Sequence, residues 1–100
     1  MDLLNKNLII KYLKQHKIDF HSKYSINKIG LFGSFAKDTN SLNSDIDIVY
    51  ETVSKDLTFK QMYQLEEELN TYFGRDIDLV NFNYMNPLIK RKAIQDIIYV

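Results

Sequence analysis

Cysteine and tryptophan are both absent from this 100-residue chain, and proline occurs once. Without cysteine, neither a disulfide framework nor a zinc site built on thiolates is possible. An excess of one charge is also missing, since 13 basic and 13 acidic residues balance to a formal charge of zero. A nucleic-acid groove normally carries a basic excess, so we expect no direct contact with nucleic acid.

The chain has no apolar run of about twenty residues, the length that crosses a bilayer, and no signal-peptide pattern. We therefore expect no membrane association and a cytoplasmic location. Hydrophobic residues make up 45% of the chain and aromatic residues 13%, which indicates a folded globular protein. A chain of this length builds one core, so we expect a single domain over residues 1–100.

Two acidic residues stand inside an apolar strand pattern. Asp45 and Asp47 alternate with isoleucines in the run DIDIVY, so a strand would place both carboxylates on one face, about 6.6 Å apart. Like charges on one face of a strand are destabilising unless a cation lies between them. Mg²⁺ suits such a site because it accepts a few carboxylate oxygens and takes further ligands from substrate phosphates.

A possible phosphate site precedes these carboxylates. Gly33 follows the apolar run IGLF, and glycine permits the tight turn from a strand into a short helix. The free N–H groups of that helix and the hydroxyl of Ser34 could bind phosphate. The alternative is an ordinary strand-to-helix turn beside acids that merely face water.

Together these residues resemble the nucleotidyltransferase superfamily of DNA polymerase beta. The resemblance consists of the apolar strand, Gly33-Ser34, ten intervening residues, and the Asp-apolar-Asp-apolar pattern that begins at Asp45. Within that superfamily, the chain resembles the minimal nucleotidyltransferases that act as antitoxins to HEPN-domain ribonucleases. This implies an α/β or α+β fold with a small mixed sheet of three or four strands and helices packed on it.

That family has a third carboxylate on a neighbouring strand. Asp78, followed by Leu79-Val80, matches the family pattern and is our choice. Asp76 would lie on the same face, and we interpret it as an exposed strand-end residue or a partner of Arg75.

The resemblance implies transfer of AMP from ATP to a hydroxyl, expected to be a tyrosine of a cognate HEPN toxin. Two Mg²⁺ ions would be held by the catalytic carboxylates Asp45, Asp47 and Asp78. Gly33, Ser34 and Lys37 would bind the nucleotide. Lys37-Asp38 stands where the family often has Arg-Gly; lysine lacks the planar fork of arginine, and Asp38 adds an anion beside the phosphate site.

Two other functions compete with this one. The chain could be an antitoxin without catalytic activity that neutralises a toxin by binding it, or a small-molecule nucleotidyltransferase of the antibiotic-modifying kind. The three acids favour catalysis over binding alone. The short chain argues against the third function, because it has no second domain to enclose a drug-sized acceptor.

Besides the short helix after Gly33, the pattern of residues predicts three helices: one over 2–15, one from the capping box at Thr58 to Gly74, and a last one that begins at Asn86-Pro87. It predicts strands at 27–32, 45–50 and 76–82. We expect residues 17–27 to form a connection of uncertain form, and residues 96–100 could be helical or strand-like. We expect the polar loop at 38–44 to be mobile until substrate binds.

Overall fold

A computed structural model describes residues 4–100. The helices are α1 (Lys6–Gln15), α2 (Lys17–Tyr24), α3 (Gly33–Ala36), α4 (Phe59–Phe73) and α5 (Pro87–Ala93). The strands are β1 (Ile26–Phe32), β2 (Ile46–Thr52), β3 (Ile77–Asn81) and β4 (Ile98–Tyr99), and a 3₁₀ turn spans Phe82–Tyr84. In the described part of the chain, no helix is both long and apolar enough to cross a membrane.

The four strands form one mixed sheet in the order β3-β2-β1-β4. Strand β1 pairs antiparallel with β2 and β4, whereas β2 and β3 are parallel. The register sets Phe32 opposite Asp47, and Asp47 opposite Asp78. The predicted small mixed sheet is therefore confirmed, and its pairing brings two of the predicted acids to adjacent positions.

The two faces of the sheet are covered unequally. On one face Ile46, Ile48 and Tyr50 are fully buried in a core shared with α1, α2 and α4. Each such side chain contributes about 2 kcal/mol by leaving water. On the other face, the face of the acids, a smaller cluster packs Val49 against Met85 and Ala93. Met85 and Ala93, which follow β3 in the chain, thus cover the acid-bearing face around Val49 and not at the acids themselves.

Helix α4 has both predicted ends. The Thr58 hydroxyl accepts a hydrogen bond from the Gln61 N–H at 3.1 Å, and the Gln61 side chain accepts one from the Thr58 N–H at 3.0 Å. Gly74 ends the helix in the left-handed conformation, with φ of 67°. Leu65 and Leu69 are fully buried on the inner side of the helix. The capping box therefore fixes where this helix begins, and its apolar face fixes where it packs.

Other element boundaries differ from the predictions. The expected connection at 17–27 is mostly a helix, α2, which the pattern missed because only Phe20 and Tyr24 of its residues are buried. Helix α1 begins at Lys6, where the Asn5 side chain accepts a hydrogen bond from the Leu8 N–H. Of the predicted helix over 2–15, residues 2–3 lie outside the described residues, and residues 4–5 precede the helix. Of the two possibilities for the chain's end, the strand is found, as β4.

Candidate functional site

Asp47 and Asp78 form the centre of the candidate site. They occupy opposite positions on the parallel strands β2 and β3. Burial, the nearby carboxylates of Asp78 and Asp45, and a hydrogen bond that protonated Asp47 donates to Asp78 together raise the pKa of Asp47 to about 6. Because two adjacent carboxylates repel each other when both are ionised, this pair holds a proton or attracts a cation.

Gly33 closes one side of the Asp47 carboxylate. It follows Phe32, which lies opposite Asp47 in the sheet, and it has a positive φ of 73°. A Cβ atom added to Gly33 would lie 3.1 Å from the Cβ of Asp47 and closer still to its carboxylate. Glycine is therefore required here both by the backbone conformation and by the space that Asp47 occupies.

Asp45 differs from the prediction in its placement. The strand pattern included it, but β2 begins at Ile46, so Asp45 is the last residue of the preceding loop and is exposed. Its charge is near enough to raise the pKa of Asp47. The chain thus brings Asp47 and Asp78 into contact and holds Asp45 beside them without strand pairing.

The predicted metal ligands do not form a closed cluster. Within residues 4–100 no group of three or more His, Cys, Asp or Glu side chains is arranged to hold a metal ion. Mg²⁺ usually keeps several waters and binds through one or two carboxylates plus substrate phosphates, so a closed cluster is not a requirement for it. The roles of Asp45, Asp47 and Asp78 as catalytic residues and metal ligands remain predictions.

Of the predicted nucleotide-binding residues, Gly33 and Ser34 begin α3, and Lys37 directly follows its end. Ser34 is part-exposed, and its carbonyl accepts a hydrogen bond from the Thr39 N–H at 2.9 Å. The Lys37 ammonium lies 3.6 Å from the Asp96 carboxylate. Asp38, expected to place a negative charge beside the phosphate site, instead pairs with Lys6 at 3.0 Å. Nucleotide binding by Gly33, Ser34 and Lys37 stays a prediction.

Asp76 lies apart from the central pair. It is exposed and precedes β3, and it lines a shallow cavity with Glu66, Glu67 and Asn70 of α4. Its carbonyl accepts a hydrogen bond from the Ile46 N–H at 2.9 Å, which joins the beginnings of β2 and β3. Of our two interpretations of Asp76, the structure supports the exposed strand-end residue.

Arg75 has a role that the sequence did not indicate. It does not pair with Asp76; its guanidinium donates a hydrogen bond to the Ser44 carbonyl at 2.9 Å. The loop that we expected to be mobile also has its own hydrogen bonds, including one from the Ser41 N–H to the Ser44 hydroxyl at 2.8 Å. No short-range sequence pattern connects Arg75 with a loop 31 residues earlier.

Comparison with protein families agrees with this geometry. The family described as "Polymerase beta, Nucleotidyltransferase" matches residues 7–100, nearly the whole chain. The chain belongs to this nucleotidyltransferase family. The motif at Gly33-Ser34 and Asp45 thus identified the family correctly.

Curated relatives of this nucleotidyltransferase are of similar length. One from Methanocaldococcus jannaschii, named as a candidate protein adenylyltransferase, is 33% identical and covers 92% of this chain and 94% of its own. The protein adenylyltransferase MntA of Thermococcus cleftensis is 28% identical and aligns over the full length of both chains. The family match confirms the predicted enzyme class, a nucleotidyltransferase, and these relatives are named as protein adenylyltransferases.

Solved structures agree on the fold. A toxin–antitoxin crystal structure with AMP-PNP contains a chain that is 27% identical, with a TM-score of 0.70, over 96% of this nucleotidyltransferase and 72% of that chain. A structure of a candidate minimal nucleotidyltransferase has a TM-score of 0.76 at 15% identity and covers 98% of both chains. A complex of tri-AMPylated HEPN toxin from Shewanella oneidensis with its MNT antitoxin has a TM-score of 0.61 at 23% identity, over 95% of this chain and 67% of that one. The predicted fold is confirmed.

Proposed function

We propose that this nucleotidyltransferase transfers AMP from ATP to a tyrosine hydroxyl of a cognate HEPN ribonuclease toxin and so acts as its antitoxin. The observation that carries the proposal is the contact of Asp47 with Asp78 beside Gly33, at the end of β1. The relatives named as protein adenylyltransferases and the toxin–antitoxin structure with AMP-PNP support the acceptor class and the nucleotide.

The chemistry of the acids fits Mg²⁺. Burial and repulsion disfavour the ionised form of Asp47, and a bound cation would remove that cost. Asp45, Asp47 and Asp78 would hold the Mg²⁺ ions. The family resemblance implies that there are two ions. Bound Mg²⁺ supplies positive charge that offsets the charge of the triphosphate and makes the acceptor hydroxyl more acidic.

The chain's own residues would position the reactants. Gly33 and Ser34 would bind the phosphates. Because glycine has no Cβ atom, Gly33 leaves room for the Asp47 carboxylate. The exposed carboxylate of Asp78 would take the proton of the acceptor hydroxyl. The hydroxyl oxygen would then bond to the α-phosphorus of ATP as pyrophosphate departs. Most of the rate acceleration would come from positioning and charge neutralisation.

One observation favours a second function, neutralisation of the toxin by binding alone. The Lys37 ammonium, predicted to bind nucleotide, lies 3.6 Å from Asp96 in this structure. If that pair persisted, the nucleotide would lose a cation, and transfer would be weak although a complex formed. The third function, modification of a small molecule, gains no support from the relatives, which are named for protein acceptors.

Intact-mass spectrometry tests the proposal. The protein encoded beside this chain is incubated with ATP, Mg²⁺ and the nucleotidyltransferase, and its mass is compared with that after incubation with the Asp45→Asn/Asp47→Asn variant. We expect a gain of one or more AMP units with the wild type only. A stable complex without any gain in mass would contradict transfer and leave binding as the function.

A matched pair of variants tests the third carboxylate. Asp78→Asn should abolish the gain in mass because its side chain touches Asp47, whereas Asp76→Asn should keep most of it because Asp76 lies beside α4. Equal losses in both variants would mean that Asp78 was the wrong choice.

A further inference from the structure

The three acids are held in different ways. Asp47 lies within β2, between its neighbours β1 and β3, and Asp78 lies within β3. Asp45 precedes β2: the Ile46 N–H that follows it bonds to the Asp76 carbonyl at 2.9 Å, but no strand pairing holds the peptide group before it. Since its charge must act at the same place as the other two, another contact has to hold that preceding peptide group.

The guanidinium of Arg75 makes that contact. It donates a hydrogen bond to the Ser44 carbonyl at 2.9 Å and approaches the Ser41 carbonyl at 3.5 Å. The Ser44 carbonyl belongs to the peptide group that links Ser44 to Asp45. Because a peptide group is planar, holding its oxygen also fixes the direction of the Asp45 N–Cα bond.

Arg75 is itself held from two sides. Its backbone carbonyl accepts a hydrogen bond of 2.7 Å from the Asn70 side chain of α4. Its guanidinium carbon lies 5.5 Å from the ring centre of Phe35, which is fully buried in α3 next to Ser34. The Arg75 side chain thus connects the helix that begins at Gly33 with the loop before Asp45, and its backbone is bound to α4.

Lysine could not replace arginine in this arrangement. A guanidinium is planar, so one of its faces can stack on an aromatic ring while its edge donates hydrogen bonds. An ammonium group on a flexible stem donates hydrogen bonds without a fixed plane. The contacts with Phe35 and Ser44 together therefore require the planar group.

We propose that Arg75 is a positioning residue that orients Asp45 through the Ser44–Asp45 peptide group. The structure alone gives the contacts of Arg75. The effect of this positioning on AMP transfer rests on the proposed function. The chain contains one other arginine, Arg91, which is exposed on α5 and provides a matched control.

Nuclear magnetic resonance tests the positioning without substrate, metal or partner. The ¹⁵N heteronuclear NOE is measured for wild type, Arg75→Lys and Arg91→Lys, together with the thermal unfolding midpoint. In Arg75→Lys we expect the NOE to fall at residues 41–45 and to stay unchanged in β2 and β3, whereas Arg91→Lys matches the wild type. Unchanged NOE values at Ser44 and Asp45 in Arg75→Lys would overturn the proposal.

Kinetics connect the positioning to the reaction. Loss of a residue that orients a ligand carboxylate costs about 10- to 100-fold, so we expect kcat of Arg75→Lys to fall by that factor, with a higher Mg²⁺ requirement. Arg75→Lys should add little further loss to an Asp45→Asn variant, because both changes act on one group. Full activity of Arg75→Lys would overturn the proposal, as would a full second loss in the double variant. If the wild type itself transfers no AMP, the proposed function fails, and the NOE values still decide the role of Arg75.

Discussion

Helix α4 and the acid pair on the sheet follow opposite rules. In α4 every local feature favours the observed structure: a capping box at Thr58, buried leucines on one side, and Gly74 at its end. At the acid pair, Asp47 lies in a strand, against another carboxylate, with a raised pKa. One region stabilises the fold, and the other costs stability that binding of a cation would return.

The difference separates residues that build the structure from residues that we propose perform the chemistry. Natural sequences are consistent at most levels and depart from that consistency at functional sites. In a region where the local rules agree, a substitution adds little stability. A region where they conflict can become more stable when function is lost.

Replacing Asp47 should produce the largest effect. We expect Asp47→Asn to abolish AMP transfer, because a ligand carboxylate is removed, and to raise the stability of the metal-free protein by about 1 kcal/mol at pH 7. The gain in the free energy of unfolding is smaller than the pKa shift alone would give, because Asp47 is only partly buried and solvent screens its charge. Mass spectrometry measures the first effect, and urea unfolding measures the second.

The stability gain should depend on pH in a defined window. The folded pKa of Asp47, about 6, lies above the ordinary value of 3.8, so ionisation of Asp47 opposes folding. Its favourable contribution is complete below 3.8 and is lost as the pH rises to about 6. Asp47→Asn should therefore match the wild type at pH 3.5 or below and exceed it above pH 6. A less stable variant at pH 7 without metal would contradict the assignment.

The two left-handed glycines provide the next test. Gly33 and Gly74 have φ of 73° and 67°, so alanine at either should cost about 1–2 kcal/mol of stability. Only at Gly33 would the added Cβ displace Asp47; nothing lies within 4 Å of a Cβ at Gly74. We expect Gly33→Ala to lose about 100-fold in transfer and Gly74→Ala to keep its activity per folded molecule.

Unfolding curves and transfer rates of the two glycine variants together show whether Gly33 is needed only for the turn or also for the reaction. Equal rates in both variants, at equal losses of stability, would show that Gly33 serves only the turn. A loss confined to Gly33→Ala would show that the close approach of Gly33 to Asp47 is needed for the reaction.

Short-range patterns in the sequence predicted much of the fold. The capping box, the glycine after α4, the Asn86-Pro87 start of α5 and the alternating strand of Asp47 are each set within a few residues. Helix α2 was missed because it presents only two buried residues, too few for a clear period. The number of strands and their order depend on long-range pairing, which no local pattern contains.

The candidate site was predictable to the same extent. Adjacent residues in the sequence indicated Gly33 and Asp47 as candidates, and the structure places the third candidate, Asp78, opposite Asp47. The strand boundary that leaves Asp45 in a loop, and the hydrogen bond from Arg75 to Ser44, both arise from contacts between distant segments. Such contacts set how well the acids are oriented, and they require the structure.

Thr58 should show the smallest effect and the clearest separation of stability from activity. Thr58→Ala removes the hydroxyl that caps α4 and leaves the Gln61 N–H without its partner. We expect a loss of about 1 kcal/mol in the free energy of unfolding, typical of a lost cap, and an unchanged rate of transfer. Urea unfolding and the AMP transfer rate at a temperature well below unfolding measure the two effects. A reduced rate in the fully folded variant would mean that α4, through Asn70 and Arg75, takes part in orienting the acids, and the contrast between the two regions would no longer hold.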